Sequence, residues 1–249
     1  MSEYAVPPLV TRALRMTLRN IEGMLTALVL PVVMMLMFVY LFGGAINTGT
    51  RYVDYVVPGV LLVCIGWGAS TTAITVAHDL AAGIIDRFRS MDVRGEALIS
   101  GHVVASVVRN LLSASVVVAV AFAIGFRPHA GAGAWLLAVG VLALFVLALS
   151  WLAAAIGIVA RTPEMAQGIA FLVSFVPYVS SAFVPVHTMP SVLQGIARNQ
   201  PATAVADTLR VALNGGHVGA SAWHAVAWSA GIIVVSIVLS GILFRRRAR

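Results

Sequence analysis

The sequence predicts an all-α polytopic membrane protein with six transmembrane helices, an amphipathic interfacial helix at its N-terminus, a charged cytoplasmic helix and an outer re-entrant helical hairpin. Three observations predict it. Of the 249 residues, 60% are apolar and 10% charged, and the mean hydropathy of +0.98 leaves too little polar surface for a soluble domain of this length. Six apolar runs approach the roughly 20 residues that a helix needs to cross a hydrocarbon core of about 30 Å. The arginines flank those runs unequally, so residues 1–249 read as a single membrane domain with a definite orientation.

Residues 9–22 come first. Arg12, Arg15, Arg19 and Glu22 recur at helical spacing while Val10, Leu14, Leu18 and Ile21 occupy another face, after a start set by Pro7 and Pro8. A cationic face of this kind suits the anionic inner leaflet, either as a simple anchor or as a partner-binding surface. The first apolar run covers residues 24–42, interrupted by Pro31, and the second covers 55–77. Both Pro31 and Pro177, further along, are expected to kink their spans.

The segment 79–100 is not a simple solvated connection. Ile84, Ile85, Phe88 and Met91 recur at helical spacing, surrounded by Asp86, Arg87, Arg89 and Asp92. A short helix with an apolar knob in a charged rim fits a groove on another protein, or packs on the chain's own amphipathic helix. The third run (103–126) carries Arg109 close to its inner end, where the side chain is expected to snorkel toward the headgroups; an ion pair or a polar contact inside a transport path is the alternative. The fourth run is 135–160 and the fifth 165–185.

Residues 186–221 are too many for a tight turn and too apolar for a solvated loop. Pro190 and Ser191 introduce a helical stretch over 192–198, Pro201 breaks it, and a second stretch over 203–213 stops at Asn214-Gly215-Gly216. Asp207 and Arg210 are three residues apart and positioned to pair. Neither stretch is long enough to cross, so the pair is expected to dip into the outer face, its breaks covered by neighbouring spans or water. The sixth run, 223–244, ends in Arg245, Arg246, Arg247 and Arg249.

Orientation follows from the arginines. Arg12, Arg15, Arg19, Arg87, Arg89, Arg94, Arg161 and the four C-terminal arginines fall on one side, against Arg51, Arg127, Arg198 and Arg210 on the other. The richer side is cytoplasmic, which puts both termini inside the cell and the chain in the cell membrane as a multi-pass protein. The net charge of +7 therefore reflects membrane topology and not a nucleic-acid surface.

Every one of the 16 basic Lys and Arg residues is Arg. Without lysine there is no Walker A loop and no Schiff base, so any nucleotide energy must come from another polypeptide. The single cysteine, Cys64, lies in an apolar run and reads as packing; it excludes a disulfide framework or thiolate metal cluster. The six histidines form no His-x-x-x-His pattern and no Gly-x-Ser-x-Gly occurs, so neither a metal site nor an intramembrane serine protease is expected. A secondary transporter driven by an ion gradient would need an acid in mid-span, whereas Asp54 and Glu164 lie at span ends.

The order of parts resembles the type 2 family of ABC exporter permeases, and most of all the daunorubicin-resistance type of drug-efflux permease. Gly83-Ile84-Ile85-Asp86-Arg87-Phe88-Arg89-Ser90-Met91 is similar to that group's coupling segment. Ser180-Ser181-Ala182-Phe183-Val184-Pro185, Met189-Pro190, Asn199-Gln200-Pro201 and Asp207-Thr208-Leu209-Arg210 are similar to its outer hairpin. Ala81-Ala82-Gly83 departs from the Glu-rich lead-in of many members.

The resemblance implies a permease subunit that is not itself an enzyme and binds no cofactor of its own. ATP and Mg would sit on a cytoplasmic ABC ATPase present in two copies, and a second permease, identical or similar, would complete a dimer. Ile84, Ile85, Asp86, Arg87, Phe88, Arg89 and Met91 would contact the ATPase, with Phe88 as the apolar anchor. The cargo implied is a hydrophobic or amphiphilic drug or antibiotic, with lipids or glycans as alternatives. Candidate transport-path residues are Ser70, Thr71 and Thr75 on the second run, where Gly66, Ser70, Ala73 and Ala77 form a small-residue stripe, together with Tyr178 and Ser181; close helix packing explains such a stripe equally well.

Overall fold

A computed structural model describes residues 21–46, 48–82 and 95–247, with side chains over 28–46, 48–82 and 99–244. Among the described residues the chain is helical throughout its regular structure. The elements are α1 (Ile21–Met37), continued by a π-helical turn (Phe38–Phe42), α2 (Tyr52–Ala81), α3 (Gly95–Ala123), α4 (Ala132–Val159), α5 (Pro163–Ser174), α6 (Ser191–Arg198), α7 (Pro201–Leu213) and α8 (Ala220–Arg247). Short 3-10 turns cover Val176–Val179 and Val186–Thr188.

Four helices are long and apolar enough to cross a membrane: Tyr52–Ala81, Ile99–Ala123, Ala132–Val159 and Ala220–Phe244. The shorter apolar stretch Leu28–Phe42 joins them. It ends at the residue where the first run was expected to end, and Pro31 is absorbed inside α1.

The fifth run differs from its expectation. It is not one helix over 165–185: α5 begins at Pro163, capped by the Thr162 hydroxyl accepting from the Met165 amide, and stops at Ser174. A 3-10 turn containing Pro177 follows, and Ser180 is extended. The cause is local, because proline supplies no amide hydrogen and disfavours helical geometry in the residue before it.

The two short helices expected within residues 186–221 have their expected boundaries to within two residues. Pro190 precedes α6, Pro201 opens α7, and Gly215 turns the chain with a φ of 77°, a left-handed value that suits glycine.

α2 is the centre of the bundle. It packs against α1, α3, α4, α5 and α7, and 72% of its most apolar window is buried. α8 packs on α4 and α7 and has only 17% of its window buried, so it lies at the periphery. The close crossings have small residues where they are needed. A Cβ at Gly157 of α4 would lie 2.6 Å from the Ala73 carbonyl oxygen of α2, and one at Gly59 of α2 would lie 2.5 Å from the Ala182 carbonyl oxygen. Membrane helices gain their contact from such backbone approach, since lipid provides no hydrophobic drive between them.

Candidate functional site

The coupling-segment residues Ile84, Ile85, Asp86, Arg87, Phe88, Arg89 and Met91 lie outside the described residues, as do Arg12, Arg15 and Arg19. The candidate path residues are described, and the fold separates them into three groups.

Ser70 lies in the contact between α2 and α5. Its hydroxyl is 2.8 Å from that of Ser174 and 3.2 Å from the Ala170 carbonyl oxygen, while Ser174 donates to the Gly66 carbonyl at 3.2 Å. Both hydroxyls are therefore engaged between helices.

Ser181 belongs to the backbone that follows the break in α5. Ser180, Ser181, Ala182 and Phe183 are buried without being helical. Their peptide groups must find partners, because a bare polar group in an apolar interior is costly. Side chains supply them. Tyr55 donates its hydroxyl to the Ser181 carbonyl (2.9 Å), Tyr52 donates to the Phe183 carbonyl (3.0 Å), and the Ser181 amide donates to the Thr203 hydroxyl (3.2 Å).

Arg210 of α7 ties this segment to the bundle. It donates to the Ser181 carbonyl at 2.8 Å and to Asp207 at 2.6 Å, and lies 3.8 Å over the Tyr55 ring. Asp207 in turn accepts from the Ser181 hydroxyl at 2.7 Å. The pairing expected from the spacing of Asp207 and Arg210 thus forms part of a larger knot. Nearby, Arg51 pairs with Asp54 at 2.9 Å and the Arg127 amide approaches Asp54 at 3.4 Å. Arg51, Arg127 and Arg210, assigned to one side by sequence, all meet the first turn of α2.

Thr71 and Thr75 are exposed on α2, an otherwise enclosed helix, and so is His78 one turn further on. Their hydroxyls donate to carbonyls of their own helix, at Gly68 (2.9 Å) and Thr71 (2.8 Å). Tyr178 is half-buried, donates its hydroxyl to the Met34 sulfur at 3.1 Å, and belongs to a run of rings. Trp67 meets Phe171 at 5.8 Å, then Phe171–Phe175 (4.7 Å), Phe175–Tyr178 (5.3 Å), Tyr178–Phe183 (5.4 Å) and Phe183–Phe38 (4.6 Å) connect α2 through α5 to the end of α1. Phe171 and Phe175 are exposed.

A polar seam between α2 and α3 was not anticipated. At one end His102 Nε2 lies 3.0 Å from Asp79 Oδ2. Further along, Thr72 donates to the Ser106 hydroxyl (2.7 Å), which also accepts from Ser150 of α4 (2.9 Å), and Asn110 donates to the Ser106 carbonyl (2.9 Å). Arg109 completes it, donating to the Gly68 carbonyl at 3.0 Å and the Thr72 hydroxyl at 2.7 Å. Snorkelling is therefore replaced by a lateral contact with α2. The helix places Arg109 near its middle, and a charge there costs about 2.5 to 3.5 kcal/mol unless it is compensated. The signal for the seam was Ser106, Arg109, Asn110 and Ser113 at i, i+3, i+4 and i+7 in an apolar run, a polar stripe that must turn away from lipid. Among the described residues no three His, Cys, Asp or Glu side chains gather as metal ligands.

A bundle of long apolar helices joined by buried polar contacts defines a multi-pass membrane protein. The chain matches the ABC-2 type transporter family over residues 6–214 and belongs to that family. It is similar to a daunorubicin resistance ABC transporter permease protein of Streptomyces coeruleorubidus, with 30% identity over 223 residues, spanning 88% of this chain and 78% of that one. It is also similar to a probable doxorubicin resistance ABC transporter permease protein of Mycobacterium tuberculosis, with 22% identity over 230 residues, 92% of this chain and 83% of that one.

Proposed function

We propose that this chain is the permease subunit of an ATP-driven exporter that moves a hydrophobic or amphiphilic drug, antibiotic or lipid-like molecule out of the cell. The observation that carries the reading is membership of the ABC-2 type transporter family, together with similarity to daunorubicin and doxorubicin resistance permeases. The absence of lysine supports it, since the chain has no Walker A loop and depends on a separate ATPase.

The chain crosses the membrane six times with both ends inside, α5 and the segment after it together making the fifth crossing. Two permeases, identical or similar, pair around a central path. Each presents residues 79–100 to one of two ATPase subunits, which hold ATP and Mg. Phe88 inserts into a groove on the ATPase, with Asp86, Arg87 and Arg89 at the rim. Closure of the ATPases moves these segments and rocks the bundles between inward and outward access. The exposed Thr71 and Thr75, and the ring series that includes Tyr178, line the path; Ser70 and Ser181 stabilise its walls.

Phe88→Ala tests the coupling. Reconstituted with its ATPase in vesicles, that variant is expected to insert normally, retain basal ATP hydrolysis and lose most ATP-dependent efflux of a fluorescent amphiphile. Efflux at the unmodified rate would remove Phe88 from the coupling role, and an ATPase that never co-purifies with the unmodified chain would remove the exporter reading itself.

A further inference from the structure

Arg109 is a cation whose counter-charge is not among the described residues. The described ion pairs join Arg51 to Asp54, Arg210 to Asp207, and Asp79 to His78 and His102. None includes Arg109, whose guanidinium meets only a backbone carbonyl and a hydroxyl as acceptors among the described residues. Its Nε is buried with no hydrogen-bond partner. A planar fork of five donors satisfied by two neutral acceptors leaves most of its binding capacity unused.

The position is not sealed. Arg109 remains partly exposed, and the Gly68 carbonyl that it shares also accepts the hydroxyl of Thr71 at 2.9 Å. Two donors converging on one oxygen set the guanidinium beside Thr71, which is exposed together with Thr75 one turn away. The cation thus adjoins the open face of α2. Facing lipid, it would be left without compensation; facing a path for cargo, its free Nη1 donors meet an anion through charge-assisted hydrogen bonds.

We propose that Arg109 anchors an anion subsite beside Thr71 and Thr75, which takes the carboxylate or phosphate group of an amphiphilic cargo. The proposal rests on the exporter reading and deepens it by naming a headgroup.

The test uses the full chain with its ATPase in nanodiscs of net-neutral lipid, and three tail-fluorescent probes: dodecanoate, dodecyl phosphate and methyl dodecanoate. The unmodified protein is expected to bind at least one anionic probe about tenfold more tightly than the ester, as suits a charge-assisted hydrogen-bonded pair. Comparison of the two anionic probes distinguishes carboxylate from phosphate. Arg109→Gln is expected to abolish that preference while leaving ester binding intact, and Arg109→Lys to retain part of it.

Thr71→Glu, at an exposed position, places an internal carboxylate beside the guanidinium and is expected to abolish the preference even if Arg109→Gln does not fold. No preference in the unmodified protein, including the case where a second copy's carboxylate already occupies Arg109, overturns the proposal. So does an undiminished preference in Thr71→Glu, or a loss of ester binding together with anion binding in an Arg109→Gln variant that folds. ATP-dependent ester export without anion preference overturns the subsite alone; anion preference without ATP-dependent flux of any probe overturns the exporter reading alone.

Discussion

Gly68 determines how closely α2 approaches α3. A Cβ there would lie 1.9 Å from Asn110 Oδ1, whereas one at Gly140, in the middle of α4, would meet nothing within 4 Å. Gly68→Ala must therefore displace Asn110 or push the helices apart, and it is expected to destabilise the protein by about 1–3 kcal/mol. Gly140→Ala removes glycine's backbone freedom at no steric cost and is expected to be neutral or stabilising by about 0.5–1 kcal/mol. Thermal unfolding of the two variants in the same nanodiscs compares them directly. Neither outcome was visible in the sequence, because each glycine sits inside a membrane-length helical run that does not reveal its neighbours. What separates them is the helix that lies opposite.

At the scale of elements, the segment from Ser174 to Pro185 is the departure with the most structural consequence. Its apolar length argued for one span, yet Pro177 and the extended Ser180 break it, leaving peptide groups that α2 and α7 satisfy. Arg210 is the main clasp. Replacing it by Met removes its contacts to Ser181, Asp207 and Tyr55 and leaves the Asp207 carboxylate with the Ser181 hydroxyl. Breaking a buried pair typically costs about 3–5 kcal/mol, but Asp207 keeps 39% of its side-chain surface exposed, so about 2 kcal/mol is expected for Arg210→Met. Arg210→Met combined with Asp207→Asn should recover part of that loss, measured by thermal unfolding of both single variants and the double. The i, i+3 spacing made the Asp207–Arg210 pair legible in advance; the attachment of that pair to residues over a hundred positions away was not.

At the scale of the whole molecule, α1, α3, α4, α5 and α7 pack around α2, and labelling tests which end of that bundle faces the cytoplasm. The chain's one cysteine, Cys64, is buried in α2, so background labelling is low and is removed altogether by Cys64→Ala. On that background Ser90→Cys is expected to react with a membrane-impermeant maleimide only from the cytoplasmic side, and Ser191→Cys only from outside. Labelling of both from one side of intact and inverted vesicles would contradict the arginine-based orientation. Helix positions were legible because lipid demands long apolar runs and excludes charge from them. The partition of candidate path residues was not legible, because Ser70, Thr71 and Thr75 are alike in type and differ only in which neighbour each meets.

By itself the sequence determined that this is a helical membrane protein, where most of its helices start and stop, which flanks carry more arginine, and that it has no lysine for a Walker A loop. These follow from composition, proline and glycine placement and the presence or absence of particular side chains, all of which act locally or through the solvent. Only the tertiary structure decided that the fifth run is broken and clasped, that Ser70 and Ser181 are held in packing contacts, and that Arg109 turns toward α2. Those outcomes depend on the partner each group finds across the bundle, and a polar group that must escape lipid accepts whichever partner the packing of neighbouring helices brings within reach.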